Sequence, residues 1–268
     1  MSNPANLTES LVTLINSLRK NAEKWRDHPL PTLPIPQQDT SISQLIDHTL
    51  LRADASEAEI QLLCEEAKTH HFATVCVNSQ WIPLCTRLLK NSLVRPITVV
   101  GFPLGASTSA TKAFEAQEAI QNGAQEIDMV LAVGLLKSKA YESVFNDIMR
   151  VVRASASHPV KVILETALLT DEEKVIACVL SQEAGAHFVK TSTGFSTDGA
   201  KIRDIELMRS VVGPHFGVKA SGGIRNWEFA SQMIQAGANR LGTSAGITLV
   251  TEAQGTRLSP APQKDGSY

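Results

Sequence analysis

The chain has 268 residues, 43% hydrophobic and 19% charged, with a formal net charge of −2. That is enough chain for one barrel-sized core, and the charge balance supplies no general attraction for nucleic acid or anionic lipid. Four cysteines at 64, 76, 85 and 178 form no C-x-x-C pair, so the sequence points to a reducing cytoplasm rather than a disulfide framework.

From Leu7 onward, Leu11, Leu14, Ile15 and Leu18 recur at helical spacing, with Asn6 and Glu9 placed as an N-cap and its N3 partner. The four prolines of HPLPTLPIPQQDT then interrupt both helix and sheet. Residues 1–40 therefore read as an amphipathic helix and a linker. Nothing at the start has the basic and apolar layout of a signal peptide, and no apolar run has the length of a membrane span.

From Ser41 the pattern changes to short β-rich runs alternating with helical ones. QLIDHT, ATVCVN, PITVVG, EIDMVLA, VKVILET, HFVKTST, GVKAS and NRLGTS read as strands, and seven longer helical segments lie between them. Such alternation predicts an α/β chain closing into a (β/α)8 TIM barrel over 41–250, followed by a polar, flexible tail at 251–268. A doubly wound open sheet is the other candidate, but no G-x-G-x-x-G follows the first strand. IQNGAQEI, SQEAGAHFV and IQAGANRL place Gly123, Gly185 and Gly237 where each can end a helix.

Several strands carry charge where a barrel normally stores aliphatic side chains. Asp47, Asp128, Lys161, Glu165, Lys190 and Lys219 fall in five different strands. Any one of them could be a salt bridge at a strand end, but so many together imply mutual compensation at one site. A lysine becomes a nucleophile when desolvation and a second cation lower its pKa. Lys190 and Lys219 lie on consecutive strands, hence roughly 5 Å apart in a closed barrel. Their chemistry suits imine formation with a carbonyl, with Asp128 available for proton transfer. The residues alone do not decide which lysine attacks. No H-x-H or H-E-x-x-H occurs, so neither metal nor cofactor is expected, and among the histidines only His48 is placed near the site.

Glycine and hydroxyl residues gather after the last three strands, in TSTGF, SGGI and GTSAG. Gly222, Gly223, Gly242, Thr243 and Ser244 are the candidates for a phosphate cradle, with Thr193 and Gly194 nearer the reacting end. The expected ligand is a phosphorylated sugar. Another lysine-dependent aldolase or transaldolase, or a sugar-phosphate-binding barrel without chemistry, would share many of these features.

IDHTLL, VVGFPLGAST, NGAQEIDMV, KVILET, LLTDEEK, AGAHFVKTSTGF, VKASGGIR and AGANRLGTSAG resemble, in order and spacing, the motifs of deoxyribose-phosphate aldolases over about residues 42–250. The resemblance implies reversible cleavage of 2-deoxy-D-ribose 5-phosphate into acetaldehyde and D-glyceraldehyde 3-phosphate, in deoxynucleoside catabolism. It also implies Lys190 as the Schiff-base lysine, Lys219 as the second active lysine and Asp128 as the proton relay. Lys161 and Asp47 match polar pocket residues, and Cys76 a cysteine near the pocket, here read as a buried apolar thiol. Ser79 replaces a proline frequent in the family, and residues 1–40 have no counterpart in its compact members. A homo-oligomer is expected without a stated number of subunits. Tyr268, the last residue, matches a terminal tyrosine that assists proton transfer in some members.

Overall fold

The computed structural model describes residues 41–255 together with Thr13 and Asn16. The helix and linker expected within 1–40 and the tail residue Tyr268 lie outside the described residues, those two positions excepted. Eight parallel strands close on themselves in sequence order: β1 Ile46–Leu50, β2 Thr74–Val77, β3 Arg95–Val100, β4 Glu126–Val130, β5 Val160–Ile163, β6 Phe188–Lys190, β7 Gly217–Ser221 and β8 Arg240–Thr243. The expected (β/α)8 barrel is therefore the fold.

Helices α1 Glu57–Thr69, α2 Ile82–Leu88, α3 Ser109–Gln121, α4 Val133–Lys137, α5 Tyr141–Ala154, α6 Asp171–Glu183, α7 Ile202–Val212, α8 Trp227–Gln235 and α9 Gly246–Ala253 lie between and after the strands. Their starts are written locally. Ser56 with Glu59, and Thr170 with Glu173, form reciprocal capping boxes at α1 and α6. Their stops are written too: Gly123, Gly185 and Gly237 take φ of 105°, 84° and 117° just past α3, α6 and α8. Helix α9 carries the regular structure to Ala253, a little past the boundary expected at 250. No helix among the described residues is long and apolar enough to cross a membrane.

Alternation along each strand divides the core in two. Val75, Val77, Ile127, Met129, Val162, Val189, Val218 and Leu241 face outward and are buried within the same apolar cluster as residues of the helices. The opposite positions face inward. At the amino-terminal end they form a polar floor: Arg240 Nη2 donates 2.8 Å bonds to both carboxylate oxygens of Glu126, and its Nε donates to Asp47 Oδ1 at 2.7 Å. Thr74 Oγ1 also donates to Asp47 Oδ1, at 2.7 Å, and Lys161 pairs with Glu126.

Phe188 packs among these cations, its ring centroid 5.6 Å from Lys161 Nζ and 5.8 Å from the Arg240 guanidinium carbon. Gly217 makes room for it, since a β-carbon there would stand 2.0 Å from the ring. Gly217→Ala should therefore destabilise the barrel by about 1–3 kcal/mol through overpacking, read from urea or thermal unfolding.

The floor also sets acid stability. Burial alone would raise the Asp47 and Glu126 carboxyls, but Arg240 and Lys219 at Asp47, and Lys161 and Arg240 at Glu126, outweigh it and hold both below their ordinary values. Depressed carboxyls stabilise the fold above their unfolded pKa, about 4, and lose that contribution as pH falls through the folded values. Circular dichroism along an acid titration should show cooperative unfolding below about pH 4, and Asp47→Asn should make the stability less dependent on pH in that range.

Candidate active site

Above the floor, the inward positions of β4, β6 and β7 converge. Register pairs Lys190 with Lys219 and Lys161 with Asp128, so these side chains share the interior face. Asp128 is fully buried and accepts from three ammonium groups. Lys161 Nζ lies 2.9 Å from Oδ1, while Lys190 and Lys219 share Oδ2 at 2.9 and 2.8 Å. Lys219 also reaches Asp47 Oδ2 at 2.5 Å. Asp47 thereby joins the floor to the reacting level.

Two neighbouring lysines are driven in opposite directions. Lys190 is lowered from its ordinary value, first by desolvation and then by the Lys219 charge, against the pull of Asp128. Desolvation acts on Lys219 as well, but Asp128 and Asp47 together overcome it and hold Lys219 above the ordinary lysine value. Burial would raise Asp128, yet Lys161, Lys190 and Lys219 keep it well below the carboxylate range. The interior cluster holds four buried basic side chains, Lys161, Lys190, Lys219 and Arg240, against three buried carboxylates, Asp47, Glu126 and Asp128. Charge balance is reached when one lysine is neutral, and Lys190 is the one displaced toward the free amine.

Lys190 also lies at the floor of a cavity of about 450 Å³ at the carboxyl end of the barrel. Thr193, Gly194, Gly222, Gly223, Gly242, Thr243 and Ser244 line it with Lys190, whereas Lys219, Asp128, Lys161, Asp47 and Cys76 do not. Such a volume suits a small organic ligand. At the start of α9, Ala245 is the N-cap and provides no side-chain cap, so first-turn N–H groups lack an intrahelical acceptor next to Ser244.

Some of the expected cradle residues are already occupied. Thr243 Oγ1 donates to Ile224 O at 2.6 Å and accepts from Ala245 N at 2.9 Å, tying the loop after β8 to the loop after β7. Thr193 Oγ1 donates to Glu165 at 2.5 Å. Gly242 leaves space for the lysine beneath it, since a β-carbon there would lie 2.9 Å from Lys219 Cε. Cys76 faces the interior, and burial pushes its thiol up to about 11, as suits a small apolar side chain.

One expectation is corrected. His48 does not join the site: its Nε2 lies 2.7 Å from Glu66 Oε2 on α1 and its ring packs against Phe72, on the helix side of the wall. Adjacent strand residues face opposite ways, and Asp47 takes the inside. The same rule exposes what the sequence reading missed. Glu126 stands two residues before Asp128 and Arg240 two before Gly242, so both share the interior face. Arg52 and Arg225 also line the cavity, from the loops after β1 and β7. Arg52 is engaged by Asp54 and Glu59. Among the described residues no group of three or more His, Cys, Asp or Glu side chains is arranged to hold a metal ion.

Known proteins share this chain's pattern closely. Residues 41–250 match the family described as DeoC/LacD family aldolase. A deoxyribose-phosphate aldolase from Streptococcus uberis is 58% identical over 209 residues, covering 78% of this chain and 95% of that one. Another from Brevibacillus brevis is 56% identical over 216 residues, covering 81% and 98%. Among solved structures, a tetrameric deoxyribose phosphate aldolase from Aeropyrum pernix superimposes with a TM-score of 0.75 at 33% identity, covering 80% of this chain and 91% of that one. By profile match, sequence identity and shared barrel alike, the chain belongs to the DeoC/LacD family of aldolases.

Proposed function

We propose that this enzyme is a deoxyribose-phosphate aldolase that cleaves 2-deoxy-D-ribose 5-phosphate reversibly into acetaldehyde and D-glyceraldehyde 3-phosphate, with Lys190 as the imine-forming residue. The observation that carries the residue assignment is the shared oxygen: Lys190 and Lys219 both bond Asp128 Oδ2, yet only Lys190 is lowered and only Lys190 of the three lines the cavity.

The chemistry follows from that asymmetry. The neutral amine of Lys190 adds to the C1 aldehyde of the open-chain sugar, and loss of water gives an iminium. Asp128 and the cationic Lys219 relay the protons that this dehydration requires. The iminium then draws in the electron pair of the C2–C3 bond. As that bond breaks, the 3-hydroxyl gives up its proton and becomes the carbonyl of glyceraldehyde 3-phosphate. The enamine left on Lys190 takes a proton at C2, and hydrolysis releases acetaldehyde and the free amine. No external electron acceptor enters the balance.

The phosphate end is assigned to Gly222, Gly223 and Ser244, supported by the uncapped start of α9 and by Arg225 on the cavity wall. Asp47 and Lys161 hold the floor beneath the reacting carbons, and Thr193 and Gly194 form the wall beside them. Cys64, Cys76, Cys85 and Cys178 are free and buried, which suits a cytoplasmic setting. We retain self-association as part of the assignment, supported by the exposed Leu104 and Phe114 side chains.

Borohydride reduction in the presence of acetaldehyde, followed by mass mapping, should place the adduct on the peptide containing Lys190. Lys190→Ala should abolish the adduct while the circular dichroism spectrum is retained; an adduct on another lysine would refute the assignment. Lys219→Met removes the like charge and leaves Asp47 and Asp128 less compensated, so the Lys190 pKa rises. The ascending limb of kcat/KM against pH should move to higher pH, with a loss of about a hundredfold or more at neutral pH. Near-normal neutral activity in Lys219→Met would rule out activation of one amine by the other.

A further inference from the structure

Five non-glycine residues among those described have left-handed backbone: His71, Asn91, Lys139, Ala156 and Glu165. The first four are exposed and lie just past the ends of α1, α2, α4 and α5, where such a conformation is an ordinary helix stop. Glu165 differs. It is buried, follows β5, and precedes a short 3-10 turn, Thr166–Leu168, with φ 57° and ψ 63°. A side chain is strained in that region and persists there only where its surroundings hold it.

What holds Glu165 is the rim of the cavity. Its Oε2 accepts from Thr193 N at 3.3 Å and from Thr193 Oγ1 at 2.5 Å, and that hydroxyl accepts from Phe195 N at 3.0 Å. The Phe195 ring meets Phe102 edge-on, with centroids 5.2 Å apart. Phe102 in turn packs on the interior cluster of Leu51, Cys76, Ile97 and Val99. Thr193, Gly194 and Phe195 line the cavity with Lys190. A continuous set of contacts therefore runs from a strained carboxylate at the end of β5 to an aromatic pair beside the reacting amine.

Stability alone gives no reason for this arrangement. No ion pair to Glu165 is found among the described residues, and its second oxygen, Oε1, is buried without a hydrogen-bond partner. A buried carboxylate with neither cation nor full hydrogen bonding opposes folding, as does its backbone conformation. Both costs converge on one residue, and among the described residues its side-chain bonds go only to the loop that walls the cavity.

We propose that Glu165 is a positioning residue for the aldol cleavage, clamping Thr193 so that the Thr193–Phe195 segment stands at the height over Lys190 that the phosphorylated sugar requires. The role rests on the aldolase assignment above. Glu165 touches no reacting atom and acts through Thr193.

Glu165→Gly, Glu165→Gln and Thr193→Val in the full chain test it, with three readouts: thermal midpoint, kcat and KM for deoxyribose 5-phosphate, and borohydride trapping of acetaldehyde on Lys190. Glu165→Gly relieves the backbone and removes the clamp, so its midpoint should equal or exceed that of the wild type while KM rises about tenfold or more. Acetaldehyde, which does not need the outer wall, should still be trapped. Glu165→Gln can accept both Thr193 donors through its amide oxygen and should restore KM to within about threefold of wild type. Thr193→Val should reproduce the rise in KM with residue 165 untouched, and it decides the matter if Glu165→Gly fails to fold. Wild-type KM in Thr193→Val and in a folded Glu165→Gly would overturn the role alone. So would losses that simply track the thermal midpoint through the series. A wild-type protein that neither cleaves the sugar nor traps acetaldehyde would instead remove the aldolase assignment, and the role with it.

Discussion

One carboxylate oxygen, Asp128 Oδ2, accepts from two lysines that must behave differently. A buried carboxylate is costly to desolvate, and without its cations it would be protonated. Three ammonium groups around it invert that cost and make the anion the stable form. Their surplus positive charge falls on the lysine with the least further support. Lys219 has Asp47 as a second acceptor and Lys161 has Glu126, whereas among the described residues Asp128 is the only carboxylate bonded to Lys190. The two amines thus differ in the number of carboxylates each one meets.

The floor makes that difference durable. Asp47 is held by Thr74 and Arg240 on one oxygen while its other oxygen faces Lys219, so the position of Lys219 is fixed from below. Arg240 and Lys161 anchor Glu126, and Phe188 fills the space among them that Gly217 leaves open. An interior of this kind gives up some apolar burial, but each charge of the cluster formed by Asp47, Glu126, Asp128, Lys161, Lys190, Lys219 and Arg240 has at least one partner of opposite sign. Outward-facing valines and leucines, packed under the helices, supply the burial that the interior does not.

Much of this was legible in the sequence because two periodicities carry it. Strands at period two and helices at 3.6 gave the barrel, and charges within the strands gave Asp47, Asp128, Lys161, Lys190 and Lys219. His48 was misplaced, and Glu126 and Arg240 passed over, for one reason: parity along a strand was not followed to its end. Asp47 and His48 are neighbours in sequence but on opposite faces, whereas Glu126 and Asp128 share one. Other features leave no periodic trace. Helix α4, Val133–Lys137, is too short to show a repeat. Arg52 and Arg225 reach the cavity from loops, whose course depends on contacts distant in sequence. The left-handed backbone of Glu165 is likewise invisible in its letter, since glutamate has no preference for that conformation.

The aromatic plug at the base has a bearing on access to the amine. With Phe188 lodged among Lys161 and Arg240, solvent reaches the reacting amine from the loop side of the barrel rather than through its axis. Whatever enters to meet Lys190, and whatever leaves it, passes through that one doorway. Water on its way to the lysine therefore competes for the entrance with any ligand still standing in it.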